Sequence, residues 1–300
     1  MTCKPVQSSI LALALVCLVA CDSGSPTSPS TPVTPAPPGA SAVLVGAGDI
    51  AECGVPGAAA TAQLLDGLSG TVVALGDLAY PDGSPANYGD CFAPTWGRHK
   101  SRIRPVPGNH DYQTTGAAGY FAYFGSQAGA AGEGYYSFQA GTWLVVALNS
   151  NIPMGVGSAQ YQWLQRELSS TARQCTAALM HYPRYTSGPN GDNPQVWPIF
   201  ELLYTSGVDI VLSGHDHVYE RFAPQDTSGR ADLARGVRQF VVGTGGAPLY
   251  EFSAPRPNSE VRIRSWGVLR LNLESGRYAW EFVPVPGGDR DAGLDQCHQP

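Results

Sequence analysis

Five short apolar runs along this chain each stop at a residue able to hold a metal ion, and that series constrains the fold more than any other feature. The runs are Val43-Leu44-Val45 and residues 72–75, 103–107, 177–180 and 208–212; the residues that close them are Asp49, Asp77, Asn109, His181 and the pair His215 and His217. Each run has the length and unbroken apolar character of a strand buried on both faces, and none is long enough to cross a membrane. Ligands gather beyond the carboxyl ends of strands in open α/β sheets, so five such ends are expected to share one crevice.

Helical patterns fall between the runs. Residues 58–68 carry Leu64, Leu65 and Leu68; residues 158–169 start at Ser158 as N-cap; in residues 194–204 Pro198 must lie in the first turn or kink the helix. This alternation through the first two thirds is that of βαβ units. Antiparallel-looking segments follow at 135–138, 142–148, 238–242, 266–273 and 277–283, and Glu274-Ser275-Gly276 joins the last two into a hairpin. No internal repeat and no second linker interrupts the region 42–300, which is expected to be one domain.

The chain has 300 residues, 43% hydrophobic and 10% aromatic, enough to bury a large core. A net charge of -6 without a basic run gives no support for nucleic acid or an anionic membrane surface as partner, and neither is expected. Lys4 followed by the apolar stretch 10–20 reads as a signal peptide over residues 1–20, and Leu18-Val19-Ala20-Cys21 is similar to the lipobox of bacterial lipoproteins, in which the cysteine is lipidated. An ordinary secretory signal is the alternative. Residues 21–41 then supply the lipidated Cys21 and a Ser/Thr/Pro-rich tether, which implies an exported protein anchored to a bacterial membrane, periplasmic or on the outer surface. Four cysteines remain beyond Cys3, Cys17 and Cys21. An even set in an exported domain favours disulfides, and the absence of C-x-x-C spacing argues against zinc. Of the three connectivities we expect Cys53–Cys91, joining loops after neighbouring strands, and Cys175–Cys297, stapling the C-terminus to the strand that enters His181.

The motifs at the strand ends are Gly48-Asp49, Gly76-Asp77-x-x-Tyr80, Gly108-Asn109-His110-Asp111, Met180-His181 and Gly214-His215-Asp216-His217. Singly, an aspartate can cap a loop and a histidine can sit satisfied in a core. Together, and in this order, they offer carboxylates, a phenol, an amide oxygen and imidazoles without thiolates, a hard to borderline set suited to iron, manganese or zinc. The glycines let backbone approach the crevice closely.

In order and content these motifs resemble the calcineurin-like metallophosphoesterases, and within them the purple acid phosphatases, over residues 42 to about 285. Most of that superfamily opens with Asp-x-His, whereas here Ala51 stands two residues after Asp49. Tyr80 lies three residues after Asp77, as in the purple acid phosphatase motif where a tyrosinate binds ferric iron, and Ser213-Gly-His-Asp-His-Val-Tyr-Glu-Arg221 is close to that family's last motif. The resemblance implies a layered α/β sandwich of two mixed β-sheets flanked by helices, with the metal site at the carboxyl ends of the strands. It implies two metal ions, Fe(III) plus Fe(II), Zn(II) or Mn(II). Asp49, Asp77, Tyr80 and His217 would hold the first, and Asp77, Asn109, His181 and His215 the second, Asp77 bridging. His110 would bind a phosphate oxygen or protonate the leaving alcohol, with Asn109 also touching substrate, Asp111 orienting His110, and Asp216 fixing its own loop. The family's extra histidine after the His181 position is replaced by Tyr182-Pro183-Arg184-Tyr185, which nominates Arg184 as a phosphate clamp.

The expectation is a metal-dependent phosphoric ester hydrolase, acid phosphatase-like, in which metal-bound hydroxide attacks phosphomonoesters. A phosphodiesterase or nucleotidase on the same site is the rival enzyme; a noncatalytic surface metal-binding protein is the rival from another class. His99, in Arg98-His99-Lys100, reads as solvated surface, His298 as tail, and Trp96, Trp143, Trp163 and Trp197 as core or helix packing.

Overall fold

In the computed structural model, which describes residues 40–170 and 175–298, the first three apolar runs lie side by side. Strand β1 (Ala42–Ala47) pairs in parallel with β2 (Thr71–Leu75), and β2 in parallel with β3 (Ile103–Val106). The C-terminal meander β11 (Gly267–Glu274), β12 (Arg277–Pro284) and β13 (Asp291–Gln296) adds antiparallel strands at the free edge of β1, giving a six-stranded sheet ordered β13-β12-β11-β1-β2-β3.

The second sheet has seven strands. They are β4 (Tyr136–Ala140), β5 (Trp143–Ala147), β6 (Thr176–Leu179), β7 (Ile210–Ser213), β8 (Tyr219–Phe222), β9 (Arg238–Val242) and β10 (Ser259–Ile263), ordered β10-β8-β9-β7-β6-β5-β4. β5, β6, β7 and β9 are parallel, while β4 and β8 run against their neighbours. The architecture is an α/β sandwich of two mixed sheets flanked by helices.

Alternation along the strands explains why the runs read as continuously apolar. In β5, Trp143, Val145 and Ala147 enter the core shared with Val45, Val73 and Leu271 of the first sheet, whereas Leu144 and Val146 face the opposite way. Those outer residues, with Ala178, Val211 and Val241, pack under Leu164 of the helix Ala159–Ser170 and under Ile199, Phe200 and Leu203 of the helix Trp197–Thr205. Both faces of the central parallel strands are therefore covered.

The helices lie close to where the sequence places them. The first is Gly57–Asp66, ended by Gly67, whose N–H reaches back to Leu64 and Leu65. Ser158 Oγ accepts from Tyr161 N at 3.2 Å. The third begins as a 3-10 turn, Pro194–Val196, before Trp197–Thr205. The edge strands β10 and β13 and the helix Ala118–Phe124 have no counterpart in the sequence reading.

Both expected disulfides are present. Cys53–Cys91 (Cα–Cα 5.0 Å) ties the loop after β1 to the helical turn Tyr88–Phe92, and Cys175–Cys297 (Cα–Cα 5.6 Å) ties the entry of β6 to the chain after β13. A second link joins the sheets through charge. Arg221 of β8 and Arg238 of β9 both lie over the Trp280 ring at 4.9 Å, Arg221 Nε meets Asp291 at 2.7 Å and Arg238 Nη2 meets Asp295 at 2.9 Å.

The basic stretch around His99 is corrected: it forms the 3-10 helix Trp96–Arg102, and the His99 ring is packed on the first helix, Nε2 at 3.1 Å from Asp66 and 3.3 Å from the Ala62 carbonyl. His298 is likewise held, its N–H on Asp209 at 2.7 Å. Trp96 and Trp143 are fully buried, and Trp197 is 40% exposed. Among the described residues no helix is long and apolar enough to cross a membrane. The signal peptide, Cys21 and nearly all of the tether lie outside the described residues.

Candidate metal centre

The carboxyl ends of β1, β2 and β3 in one sheet and of β6 and β7 in the other carry the seven inferred ligands on the turns that follow them. Three of these turns hold the ligand itself in the left-handed region: Asp49 (φ 58°), Asp77 (φ 54°) and His215 (φ 74°). Each costs on the order of 1–3 kcal/mol for a residue with a Cβ, and such strain is typical of sites where side-chain aim matters more than backbone comfort. Glycines make room for it. A Cβ on Gly76 would lie 2.4 Å from His181 Nδ1, on Gly108 2.1 Å from Asp77 Oδ1, and on Gly214 2.6 Å from Asp49 Oδ2.

Both carboxylates are anchored by one oxygen and present the other. Asp49 Oδ2 accepts from His215 N at 2.8 Å, leaving Oδ1 at 3.0 Å from the Tyr80 hydroxyl and 3.4 Å from His217 Nε2. Asp77 Oδ1 accepts from His110 N at 2.7 Å. Its Oδ2 lies 3.2 Å from the Tyr80 hydroxyl and 3.3 Å from His181 Nε2, within reach of both groups of donors.

The histidines are aimed by backbone carbonyls. A carbonyl only accepts, so His181 Nδ1 carries its proton toward Leu75 O at 2.8 Å and His217 Nδ1 toward Pro248 O at 2.7 Å. The Nε2 atoms then face the cluster, His181 at 3.0 Å from Asn109 Oδ1 and His217 at 3.0 Å from the Tyr80 hydroxyl. His215 completes the second group, with a donor atom within 4.8 Å of those of Asp77 and His181.

Electrostatics mark the cluster as a place for cations. Burial opposes ionisation of Asp77, yet His181 and His110 outweigh it and hold the carboxyl down at about 2. Burial likewise opposes protonation of His181, and Asp77 and Asp49 overcome it, carrying the imidazole up to about 9. His215, half-buried and beside His181, is held down at about 4 by its desolvation and that neighbour's charge. Burial and the two carboxylates push the Tyr80 phenol well up. Tyr80 has one proton to give and three acceptors at 3.0–3.2 Å, an arrangement that a cation among the four donor atoms would satisfy. The donor set fits two metal ions.

His110 sits half-buried at the rim, its ring 4.5 Å from that of Tyr80, Nδ1 on Pro81 O at 2.5 Å and Nε2 4.0 Å from Asp77 Oδ2. The expectation that Asp111 orients His110 is corrected. Asp111 Oδ2 accepts from Gly108 N at 2.8 Å and Asp77 N at 3.0 Å, and Oδ1 from the Tyr88 hydroxyl at 2.7 Å, so this buried carboxylate locks two ligand loops together. Burial and Asp77 push it up to about 6. Asp216 Oδ1 accepts from Asn190 N at 3.1 Å, fixing its loop. Arg184 is turned onto the Tyr185 ring at 4.3 Å and has no hydrogen bond or ion pair with the seven ligands among the described residues.

Three features of the site escaped the sequence reading. Ala51, at the position of the usual histidine, accepts Tyr80 N on its carbonyl at 2.8 Å and so seats the tyrosine loop against the first strand end. Tyr250 stacks on His217, centroids 4.0 Å apart and planes at 10°. The run Gly243-Thr244-Gly245-Gly246 after β9 closes over Asp49: a Cβ on Gly243 would lie 2.8 Å from Asp49 Oδ2, and Gly245 N donates to Gly48 O at 2.8 Å. That glycine-rich run directly after a strand-like segment was the available signal.

The family model of the calcineurin-like phosphoesterases matches residues 42–219. Among curated relatives, purple acid phosphatase 22 of Arabidopsis thaliana is 35% identical over 159 residues, covering 49% of this chain and 36% of that protein. Acid phosphatase type 7 of Homo sapiens is 26% identical over 259 residues, covering 71% and 57%. The chain thus spans about a third to a little over half of these relatives. Of solved structures, the purple acid phosphatase PPD1 from yellow lupin seeds superposes with a TM-score of 0.76 at 21% identity, covering 88% of this chain and 55% of that one. GAP50, the anchor in the inner membrane complex of Plasmodium, gives 0.67 at 13% identity over 87% and 90%. At these identities both structures speak for the fold alone.

Proposed function

The chain belongs to the calcineurin-like phosphoesterases, on their purple acid phosphatase-like branch, and from that membership we propose that it hydrolyses phosphomonoesters at a centre of two metal ions. The observation that carries this reading is the position of Asp77 Oδ2, within 3.3 Å of both the Tyr80 and the His181 side of the cluster. Asp49, Asp77, Tyr80 and His217 would hold Fe(III), and Asp77, Asn109, His181 and His215 would hold Fe(II), Zn(II) or Mn(II). When bound, such a pair polarises a phosphoryl oxygen and brings water to hydroxide near neutral pH for in-line attack. The chain's own residues do the rest. With Nδ1–H committed to Pro81 O, His110 in its charged form gives the Nε2 proton to the departing alkoxide and is left as the neutral Nδ1–H tautomer. Asn109 and His110, adjacent on the loop after β3, border the phosphoryl group, and Asp111 keeps that loop in register with Asp77.

A structural anchor can carry this fold, so the fold does not decide between catalysis and binding; the complete ligand set favours catalysis. Export and attachment through Cys21 are part of the proposal, supported by the signal-like segment and by two disulfides suited to an oxidising compartment.

Parallel assays with an aryl phosphate monoester and the corresponding diester test the reading. Monoester turnover at least about tenfold above diester turnover, roughly 1.4 kcal/mol of barrier, is the expected result. Diester turnover far above monoester would assign a phosphodiesterase or nucleotidase instead, and metal-loaded protein inert toward both would assign a binding protein. The iron assignment has its own readout. Tyrosinate on Fe(III) absorbs in the visible, so the iron-loaded protein is expected to be coloured and Tyr80→Phe to bleach it; an unchanged band in Tyr80→Phe would remove Tyr80 from the metal.

A further inference from the structure

Two partly exposed aromatic rings that flank the cluster, Tyr182 and Tyr250, are not among the seven inferred ligands. Tyr182 stands edge-on to His215, centroids 4.6 Å apart and planes at 84°, and lies 5.4 Å from His181. Tyr250 lies face to face with His217 at 4.0 Å. His181 and His215 belong to one inferred ligand set and His217 to the other, so each tyrosine borders one end of the constellation. Both residues pack against the second core on one side and remain partly exposed on the other.

Both are held in place by backbone. Tyr182 N donates to Ser150 Oγ at 3.1 Å; Tyr250 N donates to His217 O at 3.1 Å and its carbonyl accepts from Arg264 Nε at 3.2 Å. The segment that carries Tyr250 is fastened again where Ser253 N meets Ser187 O at 2.8 Å and Arg256 N meets Ser187 Oγ at 2.9 Å. On a backbone fixed in this way a tyrosine has only two side-chain torsions left to order when a ligand arrives. Aromatic faces and edges prefer a planar aromatic partner to an alkyl chain of equal length. The stretch after His181 also offers no imidazole, and the structure turns its one cation, Arg184, onto Tyr185. What that stretch offers beside the ligands is a ring.

We propose that Tyr182 and Tyr250 are specificity residues that receive the organic part of the substrate, so that the site favours phosphoesters of planar aromatic alcohols over those of small alkyl alcohols. This rests on the phosphatase reading for the seat of the phosphoryl group. Binding separates the two. Titration of the metal-loaded full-length protein with phenylphosphonate and methylphosphonate, neither of which can be hydrolysed, should show phenylphosphonate at least about tenfold tighter, the scale of one or two ring contacts. Tyr182→Ala with Tyr250→Ala should bring the ratio near one while methylphosphonate binding stays within about threefold of wild type, and Tyr182→Phe with Tyr250→Phe should keep the preference. Equal affinities in the wild type, no binding of either phosphonate, or a parallel loss of both ligands in the alanine variant would overturn the proposal; the last would mean that the rings only position histidines. Preferential phenylphosphonate binding by a protein that turns over no phosphomonoester would leave the aromatic walls standing and remove the phosphatase reading.

Discussion

Asp77→Ala is expected to lower phosphomonoester turnover at least about a thousandfold, roughly 4 kcal/mol of transition-state stabilisation. One oxygen of this carboxylate faces both halves of the cluster and the other holds His110 N at 2.7 Å, so the substitution removes the inferred bridge and frees the rim histidine together. Asp77→Asn separates these effects. The amide oxygen can still accept from His110 N, so folding should be preserved, but the charge that would hold two cations is gone and activity should fall nearly as far. Turnover near wild type in either variant would mean that the site is misassigned.

Gly108→Ala is expected to be a severely damaging single methyl group at the site. Its Cβ would stand 2.1 Å from Asp77 Oδ1 and 2.2 Å from Asp77 N. Asp77 cannot retreat: it sits at φ 54°, its N–H is bound to Asp111, and its carboxylate is bound to His110. Overpacking against backbone should therefore cost about 3 kcal/mol or more of stability, with activity down at least about a hundredfold because the Asp77 oxygens move. Gly89→Ala is the control, an exposed position where a Cβ meets nothing within 4 Å, and should change thermal midpoint and turnover little. Equal behaviour of the two variants, measured by thermal denaturation and a phosphomonoester assay, would show that the close packing around Asp77 is not required.

The strand ends were readable because burial on both faces leaves an unbroken apolar run, and because five such runs in order each close on a residue able to hold a metal, which a single capping aspartate or core histidine would not signal. What could not be read has equally specific causes. Leu75 and Pro248 aim His181 and His217 through their carbonyl oxygens, and any residue supplies a carbonyl. Asp111 follows His110 in sequence, which suggested contact between them, but neighbouring residues on a turn point different ways and Asp111 faces the backbone of Asp77 and Gly108. Tyr250 reaches His217 from 33 residues further along the chain, a contact no local pattern announces. β13, Asp-Ala-Gly-Leu-Asp-Gln, has little strand propensity. It exists through full backbone pairing with β12, with Asp291 taking the Tyr219 hydroxyl, Trp280 Nε1 and Arg221.

The most direct measurement is metal content against activity. Purified protein stripped of metal by chelation should be inactive toward an aryl phosphate monoester, and turnover should rise with added metal to a plateau at two ions per chain, determined by elemental analysis on the same samples. Full turnover in metal-free protein, or a plateau at a single ion, would contradict the paired centre built around Asp77.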